Sequence, residues 1–407
     1  GCTKEWPMLF YYKGAYLLKL GKEAEAKEAF ERAEAASPLY CFPNKLEDIA
    51  VLETAIAENP EGAKAYYYLG CLCYDKLQFE KAAELWEKSI RLDDGYPTVH
   101  RNLALAYYNK QNDPERAKQE LEKAFALDET DARVLLELDQ LYKKLGMPFE
   151  KRLELYESHK DIITERDDVM LEYVTLYNLA GKPEKAYEII MSHSFRPWEG
   201  AEGRISGQYK IALLEMAKKD IAAGAYSEAE EKLEKALVYP ENLGEGKLEG
   251  TKDNNLYYYL GLVKEALGKE GAEECFHLAE LGDNEPAGAM YYYDQPADMI
   301  LYKGLAKQKL GKTKEAHACF NKLMDYGERH LNDVVKNDFF AVSLPDFLIF
   351  EDDMDKRNKA HCYYLMGLAN LGMGQKEKAV EEFDKALEYD FNHQNCRIYK
   401  ELAKGEL

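Results

Sequence analysis

Apolar residues recur along this chain at spacings of three and four, the period of a helix face, and runs of this kind follow one another with turn residues between them. Five stretches superpose: YYKGAYLLKLGKEAEAKEAFERAEAASP (11–38), YYYLGCLCYDKLQFEKAAELWEKSIRLD (66–93), YYYLGLVKEALGKEGAEECFHLAELGD (257–283), LYKGLAKQKLGKTKEAHACFNKLMDYG (301–327) and YYLMGLANLGMGQKEKAVEEFDKALEYD (363–390). Each places aromatic or large apolar residues, then a small residue, usually a glycine at the turn, and then Ala-x-x-x-[Phe/Trp]-x-x-[Ala/Ser] or a close variant. That order predicts a pair of antiparallel helices, A and B. A small residue (Gly14, Gly70, Gly261, Gly304, Gly367) lets helix A touch its neighbour closely, and a turn glycine ends helix A in the left-handed conformation. Ala26-Phe30-Ala33, Ala272-Phe276-Ala279 and Ala379-Phe383-Ala386 set one bulky knob between two small residues on a face of helix B.

The repetition outweighs any local motif. Its small-residue anchors are Gly14, Gly70, Ala104, Asp139, Val174, Ala217, Gly261, Gly304 and Gly367, separated by 56, 34, 35, 35, 43, 44, 43 and 63 residues. This pattern resembles the tetratricopeptide repeat. It predicts an all-α, right-handed α-solenoid of about nine helical hairpins, with extra helices and inserted loops. The spacing divides the chain into a regular array over 1–195, with a lone helix at 44–58; three extended repeats over 196–328; and an aromatic strap, a last repeat and a capping helix over 329–407. The units around Asp139 and Val174 are degenerate. A change of superhelical pitch is expected near 147–170.

Each extended repeat carries about nine extra residues between one hairpin and the next: RPWEGAEGR (196–204), YPENLGEGKLEG (239–250) and LGDNEPAGAMYYYDQP (281–296). Gly203, Gly246 and Gly288 mark equivalent places. Equivalent loops of a solenoid stack along one edge, so the inserts are expected to form one surface. Glycines there supply positive backbone dihedrals, and each insert serves as a bend. The polar and aromatic density adds a second reading: Trp198, Glu199, Glu202, Arg204, Asn242, Glu245, Lys247, Tyr291 and Tyr292 are candidates for contacting a ligand or partner, including a small sugar-like ligand. A further candidate region is the concave groove lined by helix A, where Tyr11, Tyr67, Arg101, Tyr258 and Tyr364 stand three residues before the small residue. They depart from the Lys and Asn pattern of tetratricopeptide carboxylate clamps. An apolar, tyrosine-rich groove fits either tight curvature or a strap laid inside it.

Composition narrows the partners. Against 54 Lys and Arg stand 75 Asp and Glu, a formal charge of −21, which repels nucleic acid and anionic membrane surfaces. The expected partner is a protein or another domain of the same polypeptide. The eight cysteines form no framework pattern, so a reducing, cytoplasmic setting is the simpler expectation, with a lipid-anchored or periplasmic form through Cys2 as the alternative. Cys71-x-Cys73, Cys275-x-His277 and His317-x-Cys319 lie two apart on helices and point in different directions, so no metal is expected. GAEGR and GEGK lack the spacing of a phosphate loop. Neither Ser nor His recurs with a partner pattern, and neither catalysis nor a cofactor is expected.

Beyond the repeat, FPNKLEDIAVLETA (42–55), FRPWEGAEGRISGQY (195–209), YPENLGEGKL (239–248) and SLPDFLIFEDD (343–353) resemble the carboxy-terminal array of a family of large bacterial proteins. In that family a β-sandwich domain of unknown function, related to carbohydrate-acting folds, precedes the array. The resemblance implies a fragment of a larger protein. The expected function is a non-catalytic interaction and scaffolding array, with an accessory role in carbohydrate handling as the alternative.

Overall fold

A computed structural model of the chain describes residues 6–196, 201–288, 295–335 and 349–405. Helix is their regular secondary structure, with no strand among them. They divide into two units, one reaching Leu141 and including Ile349–Glu351, the other holding the remainder from Tyr142 onward.

The first unit contains α1 (Pro7–Lys19), α2 (Glu23–Ala35), the lone helix α3 (Leu46–Glu58), α4 (Ala63–Asp75), α5 (Phe79–Leu92), α6 (Pro97–Gln111), α7 (Pro114–Leu127) and most of α8 (Ala132–Lys144). The second continues with α9 (Phe149–Ser158), the single turn α10 (Lys160–Ile163), α11 (Asp167–Leu179), α12 (Pro183–Ser192), α13 (Arg204–Ala222), α14 (Tyr226–Ala236), α15 (Asn254–Leu267), α16 (Ala272–Ala279), α17 (Ala297–Lys309), α18 (Thr313–His330), α19 (Met354–Gly372), α20 (Lys376–Tyr389) and α21 (Gln394–Lys404). In the degenerate stretch, helix B is split into α9 and α10. Within each unit, consecutive helices pack as hairpins.

The anchors explain the hairpins. A methyl group built on Gly70 would lie 2.5 Å from the Trp86 indole, and one on Gly14, Gly261 or Gly367 would strike Phe30, Phe276 or Phe383 just as closely. The small residue of helix A is thus a socket for the aromatic knob of its own helix B. Each buried ring contributes on the order of 2–3 kcal/mol, which holds two short helices together that would be marginal alone. Gly21, Gly181, Gly224, Gly268, Gly311 and Gly374 all have φ between 63° and 75°, as the turn requires. Two turns use other residues: Leu77 at φ 60° and Asn112 at φ 51°.

The aromatic strap lies largely outside the described residues, Phe339, Phe340 and Phe347 among them. Its end is described: Phe350 is buried in the first unit, edge-on to Tyr108 with ring centroids 5.1 Å apart. Among the described helices none is long and apolar enough to cross a membrane.

Candidate functional site

Two of the three inserts meet, and they do so through backbone groups left over at helix ends. The last carbonyls of a helix and its first N–H groups have no partner within the helix. Asn242, in the second insert, donates from Nδ2 to the Ile190 carbonyl in the last turn of α12 and to the His193 carbonyl just past it, at 2.7 and 2.9 Å, and its backbone carbonyl accepts the Phe195 N–H at 2.8 Å. Glu245 accepts the Gly203 and Ser206 N–H groups at 2.8 and 3.0 Å, closing the amino terminus of α13. Lys247 donates to the Leu237 carbonyl at 2.8 Å and pairs with Asp253 at 2.6 Å. Asp253 also receives Lys210 at 3.0 Å. Burial opposes the Lys210 charge, but Asp253 and Tyr239 outweigh it and hold the pKa above the ordinary lysine value. Phe195, Ala201, Ile205 and Leu243 are buried between the inserts.

The polar candidates of the second insert are therefore engaged with the protein itself. Of the first insert, Glu202 and Arg204 are exposed, while Trp198 and Glu199 lie outside the described residues. Tyr291 and Tyr292 of the third insert also lie outside them. The described part of that insert is held by α18 and α19: Asn284 accepts from the Cys319 thiol at 3.6 Å, and the Ala287 carbonyl faces Nε2 of His361 at 3.0 Å.

The helix A positions are mostly interior. Tyr11 is buried with its hydroxyl donating to Glu34 at 2.6 Å, Tyr67 packs edge-on against Tyr96, and Tyr364 lies against His393 and Tyr399. Tyr258 is half-buried between Phe276 and Tyr302. Arg101 forms a two-pronged ion pair, at 2.7 and 2.8 Å, with the buried Glu137 carboxylate of the next hairpin. Among the described residues no group of His, Cys, Asp and Glu is arranged to hold a metal ion.

Two arrangements that sequence reasoning missed carry recognition chemistry. On α6 of the first unit, Asn109 donates from Nδ2 to the Ile349 carbonyl and accepts the Glu351 N–H at Oδ1, both at 2.8 Å. Lys110 pairs with the Glu351 carboxylate beside it. One carboxamide thus pairs with the carbonyl before Phe350 and the N–H after it, while the Phe350 ring enters the core.

In the second unit a cleft of about 420 Å³ opens between α11, the first turns of α13 and the turn joining α20 to α21. Its walls carry Lys143, Glu172, Arg204, Gln208, Asn392, His393, Gln394 and Asn395, and Gly207 leaves open space where a side chain would stand. Gln208 and Gln394 exchange carboxamide hydrogen bonds at 2.8 and 3.1 Å. Asn392 accepts from Arg152 at 3.1 Å, and Arg152 stands 3.5 Å from Glu172. Burial would raise the Glu172 pKa, but Lys143, Arg152 and Arg204 overcome it and hold the group below the ordinary carboxylate range. One oxygen of Glu172 is buried without a hydrogen-bond partner among the described residues. His393 is buried, which pushes its pKa down, and its Nδ1 accepts the Cys396 N–H at 3.1 Å to cap α21. The ring therefore serves the fold, and the cleft offers amide donors and acceptors, with the cations of Lys143 and Arg204 and the carboxylates of Glu172 and Asp390 on its walls. Residues near 143, 172, 208 and 392 meet only because the last hairpin returns onto α11 and α13; the run Asn392, His393, Gln394, Asn395 was the local hint.

Family models of the tetratricopeptide repeat match residues 63–96, 101–131 and 360–393. The first contains the hairpin α4–α5, and the other two cover most of α6–α7 and α19–α20. Among solved structures, one of MamA is similar at 19% identity over 49% of this chain and 95% of that one, with a TM-score of 0.31. YrrB, a TPR protein with an unusual peptide-binding site, is similar at 19% identity over 53% of this chain and 94% of that one, with a TM-score of 0.32. A structure of Naa15/Naa10 bound to HypK is similar at 11% identity over 98% of this chain and 61% of that one, TM-score 0.34. With sockets, knobs and turns in register, the chain carries tetratricopeptide repeats in an all-α array of helical hairpins.

Proposed function

We propose that this chain is a non-catalytic array that binds extended polypeptide, supplied by a protein partner or by another domain of the same polypeptide. The observation that carries the reading is Asn109, whose carboxamide bonds both polar groups of the backbone at Ile349 and Glu351. Carboxamides suit this task because one group offers a donor and an acceptor side by side, able to meet the carbonyl before a residue and the N–H after it. The cleft beside α13 presents the same chemistry on Gln208, Gln394 and Asn395, and its walls also carry Lys143 and Arg204 beside Glu172 and Asp390. A second reading, contact with a sugar, is favoured by the neighbourhood of the cleft and the first insert at Gly203 and Arg204, since carboxamides pair equally well with hydroxyls.

The test is a titration with arrayed acidic peptides and, separately, with oligosaccharides, monitored by calorimetry. Peptide binding that falls at least tenfold in Gln208→Ala/Asn395→Ala, at unchanged melting temperature, supports the reading. Cleft-dependent oligosaccharide binding without peptide binding overturns it in favour of the second.

A further inference from the structure

The first unit is built from consecutive helices with one exception: Ile349–Glu351, 240 residues from Asn109 in the sequence, belongs to it as well. These three residues lie on a particular face of α6. Arg101, Leu105 and Tyr108 follow one another at spacings of four and three and are all half-buried, whereas Leu103, Ala106 and Tyr107, turned away from them, are buried. The row that begins with the groove candidate Arg101 thus ends under the ring of Phe350, which stands edge-on to Tyr108. A face expected for a partner holds a piece of the chain itself.

The contacts of that piece state what the site accepts. Phe350 is 1% exposed, so the site closes around an aromatic ring. Asn109 takes the carbonyl before the ring and the N–H after it, which fixes the main chain on both sides without reading the side chains there. Lys110, held 4.9 Å over the Phe79 ring of α5, pairs with the exposed Glu351 and so favours an acid directly after the aromatic residue.

Resting on the reading of Asn109 as a backbone-binding residue, we infer that Ile349–Glu351 is a tethered occupant of the first unit's binding site. The partner this site takes is a polypeptide presenting an aromatic residue followed directly by an acidic one, and it exchanges with the resident segment. One ring, one carboxamide and one solvent-exposed ion pair hold that segment, and a free segment with the same two side chains reproduces all three, so exchange loses no contact. Tethering makes the resident copy an intramolecular competitor, which weakens partner binding until the segment is released.

The probe is a fluorescently labelled peptide of residues 347–353, FLIFEDD, added to the whole chain and followed by anisotropy. Saturable binding is expected to be at least tenfold tighter to Phe350→Ala than to the parent, because the resident ring no longer competes. Glu351→Lys, which sets the resident segment against Lys110, should tighten binding several-fold; its side chain is exposed, so its melting temperature should match the parent. The peptide carrying Phe350→Ala should not bind, and the peptide carrying Glu351→Lys should bind the Lys110→Glu chain better than the parent chain. Equal binding to the parent, Phe350→Ala and Glu351→Lys chains, still weakened by Asn109→Ala, overturns the resident competitor and leaves the reading of Asn109 intact. Binding that ignores Phe350→Ala or Glu351→Lys in the peptide overturns the partner's pattern. Binding insensitive to Asn109→Ala, or absent from every chain, overturns the reading of Asn109 and this inference with it.

Discussion

Gly203 and Glu245 lie in different inserts, yet the Gly203 N–H donates to the Glu245 carboxylate at 2.8 Å, and Ser206 N–H donates to its other oxygen at 3.0 Å. Gly203 has φ 76° and brings no capping side chain of its own to α13. The cap is supplied from the second insert, so a loop residue does the work usually done by a local Ser or Asp. Glu245→Ala should therefore lower unfolding free energy by about 1–2 kcal/mol in urea melts. A variant with parental stability and a lost ligand would show instead that Glu245 serves binding.

Gly70 and Trp86 make a tighter pairing. The indole N–H donates to the Tyr67 carbonyl at 3.2 Å, and the same nitrogen lies 2.5 Å from where a methyl on Gly70 would stand, so the methyl would displace a ring that α4 already holds. Gly70→Ala is expected to cost about 1–3 kcal/mol by overpacking and to shift tryptophan emission. Gly21→Ala, at a turn with open space around it but φ 74°, should cost about 1 kcal/mol with emission unchanged. Equal emission shifts in the two variants would refute the socket.

Leu77 occupies the left-handed turn between α4 and α5 at φ 60°, with its side chain exposed. The corresponding turns use Gly21, Gly268 and Gly311 without strain. Leu77→Gly removes a steric cost of about 1–2 kcal/mol and returns part of it as backbone entropy. A rise in unfolding free energy of about 0.5–1 kcal/mol is expected, read from the denaturation midpoint.

Two groups set acid sensitivity in separate windows. Burial pushes His361 down to about 4, so between pH 6.5 and about 4 the unfolded chain takes up a proton that the folded chain refuses. Stability from this source is full above that window and falls as pH drops through it. For Glu280, burial acts to raise the pKa, but hydrogen bonds from Lys312, His277 and Lys307 prevail and hold it at about 2. Its contribution is full above about 4.5 and is lost as pH falls toward about 2. Each is worth roughly 3 kcal/mol. His361→Gln should flatten the stability profile in the upper window only, and Glu280→Gln in the lower only. Profiles measured by urea titration at each pH decide this.

The hairpins were legible because their cause is local. Gly14 before Phe30, or Gly367 before Phe383, is a socket and its knob within one repeat, and the spacing shows both. The cleft was not legible. Arg152 meets Asn392, and Gln208 meets Gln394, across about two hundred residues of chain, and no periodicity encodes where a returning hairpin lands. Nor could the sequence distinguish Asn242 and Glu245 as helix caps from Asn242 and Glu245 as ligand contacts, since both uses require a polar side chain beside a glycine turn.

Asn109 and Phe350 hold the described end of the strap in complementary ways. The carboxamide satisfies the Ile349 carbonyl and the Glu351 N–H, while the ring fills a space against Tyr108. Removing the carboxamide leaves two backbone groups to find water, and removing the ring leaves a void. Asn109→Ala should therefore raise hydrogen exchange at residues 349–353 with a modest loss of stability, on the order of 1–2 kcal/mol. Phe350→Ala should cost more, about 3 kcal/mol, with the same local increase in exchange. If the carboxamide acts as a reader of extended backbone, an added peptide of residues 347–353 should bind Asn109→Ala more weakly than Phe350→Ala, because only the second variant keeps the group that recognises it. Equal binding to the two variants would assign the strap's attachment to the ring alone.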